Sequence, residues 1–221
     1  MTFELFDPKG DVRITAGHLP HWYQPGVTYF VTFRTQDSLP VEVANLWYRK
    51  RRDWLVHHGI NVDRPDWKGQ LAALPENQQN EFHNTLSQEF LSHLDKGYGA
   101  CVLRRRELAR IVADTLRHFD GDRYHLGDFV VMPNHVHLLA CLIGGTDIEK
   151  QCYSWKKFSA TEIDRRLGTS GRFWQPESFD HLVRPPEQFD RFCRYIAKNG
   201  EHAGLPPQDY LHCCHQSEQT M

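Results

Sequence analysis

An apolar run at residues 129–143, FVVMPNHVHLLACLI, contains two histidines separated by one residue. Its β-branched and aliphatic side chains, and the Gly144-Gly145 pair that ends it, favour a β-strand over a helix. Alternate side chains of a strand point to the same face, so His135 and His137 are expected to project together from one face of a sheet. Two imidazoles on a rigid strand can supply half of a divalent-metal site. A polar sheet face explains the bare pair equally well.

Composition limits the class of protein to which the chain can belong. Of its 221 residues 40% are hydrophobic and 12% aromatic, as in a globular protein, and we expect one domain over residues 1–221. No segment is long enough to span a membrane, and the N-terminus lacks the charged and apolar regions of a secretory signal. The six cysteines are expected to be free thiols, and Cys213-Cys214 lacks the spacing of a zinc knuckle. These features predict a cytoplasmic protein.

Charge is unevenly distributed along the chain. The formal net charge of −2 gives no overall indication of nucleic-acid binding. Residues 151–200, however, contain nine Lys and Arg against six Asp and Glu, a local balance of +3. Such runs are usually solvated faces, so this excess is weak evidence by itself.

Hydrophobic periodicity predicts the order of the elements. We predict strands at 27–34, 124–131, 135–143 and 180–184, and helices at 41–57, about 78–95, 107–119, about 146–167 and 185–199. A capping box at 146–149 is expected to open the fourth helix, and Gly168 to end it. This order indicates an α+β fold, a ferredoxin-like antiparallel sheet with helices on one face. The stretch at about 36–122 is too long for one connection, which predicts a helical insertion after the first strand.

The last predicted helix offers polar side chains beside its apolar stripe. Tyr195 and Asn199 are four residues apart and therefore lie one turn apart on one flank of the stripe formed by residues 189, 192, 193 and 196. A tyrosine can act as a nucleophile once its phenolate is stabilised, and an amide oxygen suits Mg²⁺ or Mn²⁺. Each residue also has an ordinary explanation, as a half-buried ring and as a polar helix end beside Gly200.

Five blocks of sequence resemble the single-tyrosine transposases, HUH nucleases named for a His-hydrophobic-His motif, and especially the REP-associated tyrosine transposases. The blocks are VMPNHVHLL at 131–139, SWKKFSA at 154–160, FWQ at 173–175, FDHLVR at 179–184, and RYIAKN at 194–199 with AGL at 203–205. They occur in the same order as in the family, and the resemblance extends from about residue 29 to residue 205.

The resemblance implies a specific site and reaction. His135 and His137 would bind Mg²⁺ or Mn²⁺, Asn199 would be the third ligand, and Tyr195 would be the nucleophile. The enzyme would cleave single-stranded DNA at or near a hairpin, with REP-like palindromes as candidate targets, through a 5′-phosphotyrosine intermediate with a free 3′-OH. The resemblance further implies a monomer or a homodimer, associated with the nucleoid and with no membrane partner. Members commonly have proline after this asparagine, where this chain has Gly200.

The same resemblance suggests contacts with DNA in the basic stretch that follows the histidine strand. Side chains that could hold phosphates or stack on bases are Lys156, Lys157, Arg165, Arg166, Arg172 and Trp174. Trp155 could also stack. Burial of both tryptophans in the core is an equally good interpretation.

Other functions fit the sequence less well. A descendant that only binds hairpin DNA, as a regulator or structural protein, would need neither the two histidines nor Tyr195. Histidine-triad nucleotide hydrolases require a third alternating histidine, and that position is Leu139. Metallohydrolases with an H-x-H-x-D-H motif require aspartate at Leu139 and histidine at Ala140. A metal-dependent DNA endonuclease and strand transferase is therefore the preferred hypothesis, and the binding protein is the alternative.

Overall fold

A computed structural model of the protein describes residues 3–15, 21–64 and 66–215. The strands are β1 (Arg13–Thr15), β2 (His21–Tyr23), β3 (Thr28–Arg34), β4 (Tyr124–Val131), β5 (His135–Leu142), β6 (Phe179–Leu182) and β7 (Leu211–Cys213). The α-helices are α1 (Val41–His57), α2 (Trp67–Ala72), α3 (Glu76–Leu94), α4 (Arg106–Arg117), α5 (Ile148–Leu167) and α6 (Pro186–His202). None of these helices is both long and apolar enough to cross a membrane.

The main sheet has five strands in the order β6-β3-β5-β4-β7, and every neighbouring pair is antiparallel. Its first four strands have the order of the ferredoxin-like arrangement, in which the two crossover helices follow the first and third strands. The predicted α+β class and antiparallel sheet are therefore confirmed. β5 is central and pairs with β3 over seven positions, from Thr28 opposite Cys141 to Arg34 opposite His135.

Helices cover both faces of the sheet, whereas the sequence predicted helices on one face. The two crossover helices, α4 and α5, pack on the face that carries Val31, Val136 and Leu138. α6 and the end of α3 pack on the other face, against Phe30 and Leu139. The reason is that all eight residues of β5 are buried, so neither face of the central strand is left to solvent.

The segment between β3 and β4 consists of two structurally different parts. α1, α2 and α3 enclose a small apolar cluster of their own, made by Trp47, Leu55, Ile60, Leu71, Phe82 and Leu86. α4 instead belongs to the core of the main sheet. The ends of the first part meet, because the Ala100 N–H donates to Asp37 Oδ2 at 2.7 Å. Gly99, at φ +87°, lies so close to Asp37 that a Cβ would be 2.6 Å from its carbonyl oxygen.

Two helix ends differ from those expected. α5 is capped by Asp147 rather than by Thr146, because the Asp147 carboxylate accepts the N–H groups of Glu149 and Lys150. α6 continues through Gly200 to His202 instead of ending at Asn199. Gly200 is buried in the last turn, where a Cβ would be 2.3 Å from the ring of Tyr210. A glycine is needed there because the C-terminal segment packs directly on the helix backbone.

Gly200→Ala should destabilise the fold. The added methyl group would displace the Tyr210 ring, and overpacking of this kind costs about 1–3 kcal/mol, which lowers Tm by roughly 2–12 °C. Thermal unfolding followed by circular dichroism measures the change. Gly145→Ala is the matched control, because a Cβ there would meet no atom within 4 Å. Equal Tm values for the two variants would contradict the packing role of Gly200.

Candidate metal centre and tyrosine

Two buried imidazoles form the centre of the candidate site. His135 and His137 are both 0% exposed and lie on the face of β5 that α6 covers. Their ring centroids are 4.6 Å apart, as expected for alternate residues of one strand. The structure thus brings the pair together on one sheet face, but inside the protein rather than on a solvated surface.

Hydrogen bonds fix the orientation of both rings. His135 Nδ1 is 2.7 Å from Asn134 Oδ1, and Asn134 Nδ2 donates to the carbonyl oxygen of Tyr98. Because the amide oxygen can only accept, His135 Nδ1 must carry the proton, and its Nε2 keeps a lone pair. His137 Nδ1 is 2.8 Å from the hydroxyl of Thr32, which lies directly opposite it on β3. Partners of this kind orient histidines that bind metals through Nε2.

A carboxylate from the helical segment completes the cluster. Asp95, immediately after α3, places its Oδ1 3.7 Å from His135 Nε2. One potential ligand atom from each of Asp95, His135 and His137 lies within 4.8 Å of the others. A distance of 3.7 Å is too long for a hydrogen bond, but two ligands each about 2.1 Å from one ion lie roughly 3–4 Å apart. The spacing therefore suits a shared divalent cation.

Asn199 also reaches this cluster from α6. Its Nδ2 donates to Asp95 Oδ1 at 3.3 Å, and its side chain is 0% exposed. Asn199 Oδ1 and His135 Nε2 are both buried, and neither has a hydrogen-bond partner among the described residues. Buried polar atoms are normally paired, so these two orphans indicate a ligand between the sheet and α6. The predicted third ligand thus lies in the cluster, together with a carboxylate that was not predicted.

Tyr195 is one turn before Asn199 on α6 and faces the same cluster. Its hydroxyl is 3.4 Å from His137 Nε2, and the two ring centroids are 5.1 Å apart. The apolar stripe of α6, with Phe192 and Ile196, packs on the sheet and holds the helix in this position. The phenol of Tyr195 and Nε2 of His137 are therefore adjacent within one chain.

Burial dominates the electrostatics of the site. It lowers the pKa of His135 to about 3, and it lowers the pKa of His137 well below its ordinary value, with His135 as a second cause. It raises the pKa of Asp95 to about 6. It also raises the pKa of Tyr195 far above its ordinary value, and the nearby Asp95 adds to this. Two neutral imidazoles are ready to bind a cation, while the phenol needs a positive charge nearby before it can ionise.

The donor set fits a divalent cation such as Mg²⁺ or Mn²⁺. Two imidazole nitrogens combined with carboxylate and amide oxygens form a mixed site that suits Mn²⁺ and admits Mg²⁺. The two orphaned atoms, His135 Nε2 and Asn199 Oδ1, are available for it. A potential metal-binding group is therefore present, and the identity of the metal is not fixed by the geometry.

The basic residues predicted to contact DNA do not lie beside the histidines. They lie on α5 or just after it, and α5 packs on the opposite face of the sheet. Lys157, Arg165, Arg166 and Arg172 are exposed, and Arg165 pairs with Glu162. The Lys156 ammonium donates to the carbonyl oxygens of Gln175 and Pro176. Contact of these residues with DNA stays a prediction.

Both tryptophans of this region are in the core. Trp174 is 4% exposed and donates its indole N–H to Ser159 Oγ at 2.9 Å. Trp155 is 1% exposed and donates to the Tyr124 hydroxyl at 2.8 Å. Their burial therefore supports the interpretation that both tryptophans belong to the core.

Asp95, Asn134 and Thr32 lie at the site but were not among the residues predicted from the sequence. Asn134 and Thr32 were within reach of sequence reasoning, since one adjoins the first histidine and the other lies in the neighbouring strand. Asp95 had no such signal, because it is 40 residues before His135 and follows an ordinary amphipathic helix. Only the packing of α3 against the end of α6 places it at the site.

Asp95→Asn should weaken metal binding. The change removes a charged oxygen and keeps the shape of the side chain, so we expect the Kd for Mn²⁺ in isothermal titration calorimetry to rise tenfold or more. Asp122→Asn is the matched control, because Asp122 is an exposed aspartate far from the site. An unchanged Kd for Asp95→Asn would show that the carboxylate is not a ligand and would leave Asn199 as the third one.

Comparison with known proteins gives one structural neighbour. No family model matches the chain, and no curated protein matches it. A solved structure, the REP-associated tyrosine transposase bound to a REP hairpin, is similar over 84% of this chain and 73% of the other, with 16% sequence identity and a TM-score of 0.41. At that score and identity the similarity adds no argument to those drawn from the site itself.

Proposed function

We propose that this protein is a metal-dependent endonuclease and strand transferase of single-stranded DNA, in which Tyr195 is the nucleophile. The observation that carries the proposal is the distance of 3.4 Å between the Tyr195 hydroxyl and His137 Nε2, within a cluster that also holds His135 and Asp95. A protein that only binds DNA needs no partly buried phenol beside two imidazoles whose rings are held by hydrogen bonds. A phosphoryl-transfer enzyme uses such an arrangement to bring a nucleophile and a polarised phosphate together.

The chain's own residues have separate tasks in the proposed reaction. His135, His137, Asp95 and Asn199 would hold the cation, which supplies Lewis-acid polarisation of the scissile phosphate. Asn134 holds His135 in the tautomer that leaves Nε2 free to bind, and Thr32 orients the ring of His137. Tyr195 attacks phosphorus, so that a Tyr195 Oη–P bond forms and the bond to the 3′ oxygen breaks. The proton lost by the phenol is balanced by the proton that the 3′ oxygen gains as it becomes the released 3′-OH. The phosphotyrosine bond conserves the energy of the phosphodiester, which allows the strand to be rejoined.

The proposed substrate is single-stranded DNA at or near a hairpin, with REP-like palindromes as the first candidates. The five sequence blocks that resemble the REP-associated tyrosine transposases support this choice. The protein would then act in the cytoplasm, on the nucleoid. Because Tyr195 reaches the histidines of its own chain, we further propose that one protomer forms a complete site, whether the protein is a monomer or a homodimer.

Tyr195→Phe should abolish covalent attachment to DNA. A hairpin oligonucleotide with a single-stranded flank and a different dye at each end, incubated with Mn²⁺ or Mg²⁺, should yield a 5′-labelled fragment with a free 3′-OH and a 3′-labelled protein–DNA adduct on a denaturing gel. EDTA should remove both products. Tyr153→Phe is the matched control, because Tyr153 is 63% exposed on α5, on the other side of the sheet. This variant should retain full activity.

Two outcomes would contradict the proposal. An adduct that persists in Tyr195→Phe would assign the nucleophile to another residue. Tight hairpin binding without any adduct, across a panel of palindromes and both metals, would favour the non-catalytic DNA-binding protein instead.

A further inference from the structure

A groove separates the insertion from the helix that carries the tyrosine. It lies between α3 and α6, has a volume of about 650 Å³, and contains both Asp95 and Tyr195 in its lining. Gln88, Leu91 and Ser92 of α3 form one wall, and the strand residues Phe30 and Phe179 line it as well. We call this space the α3–α6 groove. Its volume lies within the roughly 300–1,000 Å³ of pockets that bury small ligands.

The α6 wall of the groove is strongly basic. Arg191, Arg194 and Lys198 line it, and their spacing of three and four residues places them along the same side of the helix as Tyr195. None of the three forms an ion pair with a carboxylate in the described part of the chain. Asp95, the one carboxylate in the lining, belongs to the candidate metal site. Three cationic side chains therefore face one carboxylate in this lining, which leaves the groove with a net positive charge next to the tyrosine.

Aromatic and apolar side chains also line the groove, together with the polar side chains of Gln88, Ser92, His181, Gln188 and His202. Phe192 is partly buried and stacks on Phe30 with ring centroids 4.1 Å apart and an interplanar angle of 5°. Phe179 and Leu91 lie near it in the same groove. A row of cations beside partly buried aromatic rings is the combination that binds unpaired nucleotides, since cations hold phosphates and rings pack on bases.

We propose that the α3–α6 groove binds unpaired nucleotides of the DNA strand next to the phosphate that Tyr195 attacks. The inference rests on the proposed function. It adds a substrate channel with two walls, of which α3 forms one and α6 the other. Arg191, Arg194 and Lys198 hold consecutive phosphates, and Phe192 packs against a base. Bases in a duplex are already paired and stacked, so the aromatic contact selects single strands over duplex DNA.

The phosphate contacts are tested by equilibrium binding of fluorescent dT₁₂ in EDTA, where metal-dependent cleavage does not occur. The double variant Arg191→Ala/Arg194→Ala should lower the affinity at least tenfold, and the slope of log K against log salt should fall by about 1.4, or 0.7 for each lost contact. The control is Arg106→Ala/Arg110→Ala, which removes two exposed arginines from α4 on the other face of the sheet. Equal losses in the two double variants, or no loss in either, would overturn the proposal.

The base contact is tested with a probe that has phosphates but no bases. Wild-type protein should bind dT₁₂ more tightly than a twelve-residue abasic deoxyribose phosphate of equal charge. Phe192→Leu should lose this preference, whereas Phe158→Leu should keep it, because Phe158 is 55% exposed on α5. Equal affinity of wild-type protein for the two probes would overturn the base contact.

These measurements are independent of the proposed cleavage. Groove variants that bind normally while wild-type protein still forms the Tyr195 adduct would reject the groove and keep the enzyme. Groove-dependent binding without any adduct would keep the groove and reject the enzyme.

Discussion

The burial of two histidines between a sheet and a helix is the constraint on which the rest of the site depends. Each ring nitrogen of a fully buried imidazole needs a partner, because a buried polar atom without one destabilises the fold. Here Asn134 and Thr32 satisfy the Nδ1 atom of each ring, which turns both Nε2 atoms toward α6. Among the described residues His135 Nε2 has no hydrogen-bond partner, which would destabilise a purely structural core. A cation bound to this nitrogen would remove the destabilisation.

The segment that contains α1, α2 and α3 contributes to the same centre from outside the sheet. α1, α2 and α3 have their own apolar cluster, and the only charged oxygen in the described metal-binding group comes from this part of the chain. The Asn199–Asp95 hydrogen bond joins the end of α3 to the end of α6. The segment thus lies against the site, where it supplies a carboxylate and a wall of the groove.

Much of the fold could be predicted from local patterns. Alternation identified the strand of His135 and His137, and the spacing of four placed Tyr195 and Asn199 together on α6, because both periodicities are properties of single elements. The position of α6 on the second face was not predictable in this way, since it follows from the complete burial of β5. Asp95 was not predictable at all, because its role arises from the packing of two helices distant in sequence. For Trp174 the sequence allowed both a DNA contact and a place in the core, and its burial supports the core.

The closed ends of the insertion have an evolutionary consequence. Since Asp37 and Ala100 meet, the chain leaves and re-enters the sheet core at nearly one point, and whole helices can be exchanged there without disturbing strand pairing. An exchange would replace Asp95 and one wall of the groove in a single event. Preference for metal and for DNA could then diverge together between descendants, while the sheet, both histidines and the tyrosine helix are inherited unchanged.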